Sequence, residues 1–101
     1  IEAEFDDAIV ETTPASGDQG ADLLVRLGSV RVAIQAKRYS GVVGNAAVQE
    51  IFAAKQFYDT DFAMVVTNSR YTMPAKALAD KLEVTLATSD DFIEKIKWLL
   101  G

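Results

Sequence analysis

The chain has 101 residues, half of them hydrophobic and a quarter charged, and contains neither cysteine nor histidine. One packed core is within reach at this length, while disulfides, thiolate or histidine metal ligands and every catalytic scheme built on imidazole are excluded. The formal charge of −5 argues against a passive coat for nucleic acid, which recruits a basic surface, but leaves room for a site whose positive charge comes from a bound cation.

Ala8 to Thr13 gathers β-branched residues and predicts a short strand. Pro14 to Gly20 follows as a loop rich in Pro, Ser, Gly and Asp. A second strand is expected from Ala21 to Leu27, a two-residue turn at Gly28-Ser29, and a return strand from Val30 to Lys37. Alternation on the return strand sets Val30, Val32 and Ile34 on one face, and Arg31, Ala33, Gln35 and Lys37 on the other. Ser40 to Gly44 reads as a loop. From Asn45 to Tyr58 the spacing turns helical, with Asn45 as N-cap and Val48, Ile51, Phe52 and Lys55 along one side. Phe62 to Thr67 is a continuous apolar run, the mark of a central strand. Thr72-Met73-Pro74 opens a second helix whose apolar stripe reaches Leu82. Val84 to Ala87 predicts a short strand, and Ser89 is expected to cap a last helix through Leu100. The order β-β-β-α-β-α-β-α implies an α/β fold with a mixed central sheet flanked by helices. No apolar run approaches the roughly 20 residues that span a bilayer, so no membrane segment is expected.

The hairpin carries the chemistry-bearing residues. Asp22 starts its first strand directly after a glycine-rich loop, while Gln35 and Lys37 lie two apart on the return strand and project from the same face. A carboxylate, an amide oxygen and an ammonium can then converge at the open end of the hairpin. That donor set suits phosphodiester hydrolysis around Mg²⁺, with Asp22, Gln35 and the backbone carbonyl of Ala36 as oxygen ligands and Lys37 beside the developing charge. The same three residues also fit an ordinary solvated strand face, since a lysine there is commonplace.

Longer stretches carry a resemblance. Gly17-Asp18-Gln19-Gly20-Ala21-Asp22 resembles the "GDGGID" segment of the Mrr-type branch of the PD-(D/E)XK restriction-endonuclease superfamily, whose last Asp is a metal ligand. Gln35-Ala36-Lys37-Arg38-Tyr39-Ser40-Gly41-Val42-Val43-Gly44 is similar to its "QAKRW-x-G-x-VG" stretch, in which Gln-x-Lys replaces the usual Glu-x-Lys. Ala47-Val48-Gln49-Glu50-Ile51-Phe52-Ala53 resembles its "VVQxFxGA" helix, and Val65-Val66-Thr67-Asn68-Ser69 its later strand and turn. The resemblance implies a restriction-endonuclease-like fold and a Mg²⁺-dependent endonuclease acting on DNA, with Mn²⁺ able to substitute and Asp22, Gln35 and Lys37 in catalytic roles. It also implies a cytoplasmic enzyme, a homodimer for cutting both strands of a duplex, and a DNA-recognition domain or subunit outside these residues. The expected unit is a single nuclease core over residues 1–101, with the family's first, glutamate-bearing helix incomplete. Neither Glu2, Glu4 nor Glu11 aligns with that glutamate.

Several other residues are read against this frame. Arg38 and Tyr39 would meet a phosphate and a base or sugar face, or else pack on the surface. Gln49 faces the loop side of its helix in the family pattern and is expected to touch the site and DNA, whereas Glu50 points elsewhere and reads as solvated. Arg70 and Lys76 are ordinary surface cations or contacts to a DNA backbone. Trp98 reads as a core or dimer contact, and Asp90 and Asp91 as residues favouring a helix N-terminus. Two other functions stay open. The neutral Gln35, the missing upstream glutamate and the acidic charge also suit an inactive nuclease-like module that binds DNA or protein. A junction-selective nuclease would use the same hairpin chemistry.

Overall fold

The computed structural model describes residues 9–12, 21–37 and 41–101, with the backbone alone at residues 11 and 12. Strands β1 (Ile9–Thr12), β2 (Leu23–Leu27) and β3 (Val30–Lys37) come first, then a two-residue strand β4 (Val42–Val43) and helix α1 (Asn45–Tyr58). Strand β5 (Phe62–Thr67), a second two-residue strand β6 (Arg70–Tyr71), helix α2 (Met73–Leu82), strand β7 (Thr85–Thr88) and helix α3 (Phe92–Leu100) complete the order. The main sheet runs β1-β2-β3-β5-β7. β1 and β2, and β2 and β3, pair antiparallel; β3 with β5, and β5 with β7, pair parallel.

Local chemistry explains the turns. β2 and β3 are joined by Gly28-Ser29, with Leu27 opposite Val30. Gly28 takes a φ of +63° while Ser29 stays out of the left-handed region, as a two-residue turn with glycine first requires. The parallel pairs need crossovers, which α1 and α2 supply. At its far end α1 closes on Asp59 in the left-handed conformation, and Arg31 clamps that end to β3: its guanidinium donates to the Tyr58 carbonyl at 2.7 Å and its backbone N–H to Asp61 Oδ2 at 2.8 Å. A cation there also suits the negative end of the helix dipole.

Alternation on the strands divides the interior in two. On one face Leu24, Ala33, Ala63 and Val65 meet Ala47, Val48, Ile51 and Ala54 of α1 and Ala75 and Ala79 of α2. On the other, Val25, Val32, Ile34 and Met64 meet Ile96, Leu99 and Leu100 of α3. Each large aliphatic side chain buried this way contributes about 1.5–3 kcal/mol. β4 and β6 form a separate parallel pair, which carries the chain after β3 alongside the turn after β5. Tyr71, at the end of β6, donates its hydroxyl to the carbonyls of Val65 (2.9 Å) and Ala87 (2.6 Å), bridging two neighbouring strands of the main sheet.

The expected element order holds, with corrections at the edges. α1 is capped by Gly44, and Asn45 is its first helical residue. The N-cap position of α3 is Asp91 instead of Ser89, and its side chain makes no cap bond to the helix: Asp91 Oδ1 accepts from the Thr88 N–H at 2.7 Å, while the Ser89 N–H is still committed to the Thr67 carbonyl of the sheet. Trp98 is not a core residue, being 82% exposed. It lies two residues from the buried Ile96, nearly across the helix from it. Among the described residues, no helix is long and apolar enough to cross a membrane.

Candidate functional site

The site lies where β2 begins and β3 ends. The backbone ladder between these strands continues one step beyond β2, with the Asp22 N–H donating to the Ile34 carbonyl at 2.8 Å. The next rung comes from a side chain: Asp22 Oδ2 accepts from the Ala36 N–H at 2.8 Å. This bond fixes the carboxylate against the segment Gln35-Ala36-Lys37, so Asp22 meets the return strand at the place the hairpin reading expects.

Gln35 and Lys37 lie on the α1 side of β3, as alternation requires. Both reach Glu50, on α1. Glu50 Oε1 accepts from Gln35 Nε2 at 3.2 Å and pairs with Lys37 Nζ at 3.1 Å. The Gln35 side chain is 7% exposed, and its other polar atom, Oε1, is buried without a hydrogen-bond partner. Leaving a buried oxygen unpaired costs about 1–3 kcal/mol, so this atom marks the place where a ligand would repay the molecule most. Lys37 and Ala36 also line an open cleft of about 270 Å³, together with Val66, Thr67, Asn68 and Ser89. The cleft sits at the carboxyl ends of β3, β5 and β7, where ligands bind in open α/β sheets.

Its rim is tied together by polar bonds. Thr67 is almost fully buried and its Oγ1 accepts from the Ser69 N–H at 3.2 Å, while the Ser69 hydroxyl donates to the Gly41 carbonyl. Beyond it, Arg70 and Lys76 line a second hollow with Tyr71, Asp91 and Lys95. There Asp91 is held below the usual carboxylate range, chiefly by its bond to the Thr88 N–H and also by Lys95.

The structure thus brings Asp22 to the Gln35–Lys37 segment and both polar side chains of that segment to one carboxylate. Glu50 is half-exposed, as its reading as solvated expects, but it does not point away from the site. Its carboxylate is engaged by the two candidate catalytic residues of β3. Helical spacing held the signal, because Ala47, Ile51 and Ala54 are buried and position 50 borders that stripe three residues from the first and four from the last. Gln49 is exposed, two residues from Ala47 and across the helix from the stripe, and the bonds to Gln35 and Lys37 are made by its neighbour Glu50. Arg38 and Tyr39, like the loop 13–20 and Glu2 and Glu4, lie outside the described residues.

The oxygen atoms available are a carboxylate, an amide carbonyl and a backbone carbonyl, a set that suits a hard cation such as Mg²⁺ or Mn²⁺ and offers nothing to a soft metal. Among the described residues, no three His, Cys, Asp or Glu side chains cluster as a metal centre.

Comparison with known proteins gives the same fold. Residues 3–96 match the restriction endonuclease family model Mrr_cat. No curated protein matches the chain. A solved structure of the protein of unknown function AF1548 superposes with a TM-score of 0.68 at 16% identity, over 85% of this chain and 52% of that one. The DNA modification-dependent restriction endonuclease AspBHI superposes with a TM-score of 0.65 at 23% identity, over 80% of this chain and 23% of that one. The chain therefore spans about half of the first and a quarter of the second.

Proposed function

This chain belongs to the restriction endonuclease family described by Mrr_cat, and from that membership we propose that it is a single nuclease core hydrolysing DNA phosphodiester bonds with Mg²⁺, or Mn²⁺ in its place. The observation that carries the reading is the unpartnered, buried Oε1 of Gln35, beside the Asp22 carboxylate anchored on Ala36 and the Lys37 ammonium. Asp22, Gln35 and the Ala36 carbonyl would hold the cation. When bound, it supplies positive charge at the scissile phosphate and lowers the pKa of water at the site.

The chain's own residues do the rest. Asp22 is kept in place by the Ala36 N–H through one carboxylate oxygen, and the other would be presented to the cation. Lys37, only 20% exposed, donates to the phosphate oxygens as their charge grows, and low exposure strengthens that interaction. The open cleft at the strand ends leaves space for a polymer backbone. A duplex would be cut by two copies related by a two-fold, with target choice made by a domain or subunit beyond these residues, in the cytoplasm where such DNA is met.

The test is cleavage of plasmid DNA with Mg²⁺ by the parent protein, Asp22→Ala and Lys37→Ala. Each substitution should lower the rate by roughly 10²–10³-fold or more, with circular dichroism unchanged. Full cutting by both variants would overturn the assignment. Failure of the parent protein to bind Mn²⁺ in calorimetry would instead favour a nuclease-like module that binds DNA without cutting it, the reading the neutral Gln35 keeps open. Comparison of junction, single-stranded and methylated duplex substrates defines the substrate preference.

A further inference from the structure

Glutamine at position 35 differs from a carboxylate in one respect that matters for a ligand: its two ends are unlike. One carries an acceptor oxygen and the other two N–H donors, and half a turn about the last side-chain torsion exchanges them. A glutamine therefore presents oxygen to a cation only if something fixes which end faces it. Glu50 has the chemistry to do so. An ionised carboxylate has no proton to give, so it can face only the amino end of the amide, and its Oε1 lies 3.2 Å from Gln35 Nε2. The amide oxygen is thereby left at the end of the amide that Glu50 does not hold, and that is the atom found buried without a partner.

We propose that Glu50 is a positioning residue for the metal site, orienting the Gln35 amide so that its oxygen faces the cation while the same carboxylate oxygen steadies Lys37. The inference rests on the nuclease reading above and adds a residue to it. Glu50 is half-exposed, and an ion pair at that exposure contributes little by itself. Its consequence is directional, set by the amide it turns. A half-exposed place on a helix also means that replacing it disturbs no core packing.

Two measurements test this, one of them independent of DNA cleavage. Mn²⁺ affinity is measured by calorimetry for the parent protein, Glu50→Ala, Gln35→Glu, and Gln35→Glu combined with Glu50→Ala. Glu50→Ala should weaken Mn²⁺ binding roughly 10–100-fold, the usual effect of losing a partner that orients a metal ligand. In the Gln35→Glu background, position 35 has two equivalent acceptor oxygens and needs no orienting. There Glu50→Ala should lower the affinity by clearly less than in the parent background, through the loss of one nearby negative charge alone. An equal loss in both backgrounds would mean that Glu50 acts only through its charge or the fold, overturning the positioning role while leaving the nuclease reading intact. A parent protein that binds no Mn²⁺ would overturn both.

The second measurement needs only the helix-surface variant. In ¹⁵N-labelled protein the Gln35 side-chain amide should show one proton shifted downfield by its bond to a carboxylate, and Glu50→Ala should abolish that shift. An unchanged Gln35 amide signal in the variant would overturn the inference.

Discussion

The two faces of the sheet are built differently, and only one carries the site. Toward α1 and α2 the strands present Ala33 and Ala63 beside Leu24 and Val65, and the helices answer with Ala47, Ala54, Ala75 and Ala79. Toward α3 the strands present Val25, Val32, Ile34 and Met64 to Ile96, Leu99 and Leu100. Small residues on both sides of an interface let helix and strand backbones approach closely, while large aliphatics hold them apart and fill the space with apolar volume. Closeness is what allows Glu50, at the edge of the buried stripe of α1, to reach Gln35 and Lys37 on β3. The α3 face supplies stability, and the alanine-lined face supplies stability together with polar reach.

Substitutions that treat the two faces unequally break or sharpen this contrast. Ile96 is fully buried against the strands on the α3 side, and Ile96→Ala should cost about 2–5 kcal/mol in urea unfolding. Mn²⁺ affinity measured well below the melting temperature should not change, since the side chains of Asp22, Gln35 and Lys37 bond to Ala36 and to Glu50 of α1, on the other side of the sheet from α3. A parallel loss of metal affinity would show that the faces are not independent. Ala33 is equally buried on the other side. Ala33→Leu drives a larger side chain against the alanine-lined face and should cost less, about 1–3 kcal/mol. It should nonetheless weaken Mn²⁺ binding at temperatures where the variant stays folded, because displacing α1 carries Glu50 away from Gln35. The smaller stability effect with the larger functional effect is the signature to seek.

Much of this arrangement is legible in the chain itself. The Phe62–Thr67 strand and the Gly28-Ser29 hairpin stand where apolar run and turn chemistry put them, because both are short-range signals that tertiary packing has little reason to override. The alternation that separates Val32 and Ile34 from Ala33 and Gln35 was equally plain, and it decided which residues could share a site. β4 and β6 were not visible, since two residues are too few to show a period of two. The N-terminus of α3 falls at Asp91 and not at Ser89, and the long-range bond that holds Ser89 to the sheet is invisible to local capping preferences. Of the two readings of Trp98, core or dimer contact, its helical phase removes the first by turning the side chain outward. Glu50 is exposed, as its reading as solvated expects, but it does not point away from the site: its position beside Ala47, Ile51 and Ala54 places it within reach of the strand.

The smallest effect to measure concerns a polar bridge on the site-bearing face. Tyr71 packs against the alanine-lined cluster, and its hydroxyl serves the Val65 and Ala87 carbonyls at once. Tyr71→Phe should cost about 1 kcal/mol, the net value of such a bond. The pH dependence identifies the cause. Burial pushes the Tyr71 phenol far above its ordinary value of 10.0, with the Asp91 carboxylate adding to the shift. In the unfolded chain the same phenol ionises near its ordinary value, roughly 10. Above that pH the unfolded state therefore binds fewer protons than the folded state, and stability falls as pH rises. The contribution of Tyr71 is complete below pH ~10 and is lost progressively above it. The urea midpoint of the parent should then drop faster than that of Tyr71→Phe between pH ~9 and ~11, bringing the two together. A gap that stays constant over that range would mean that the phenol titrates alike in both states, and that the bridge between β5 and β7 does not hold its proton.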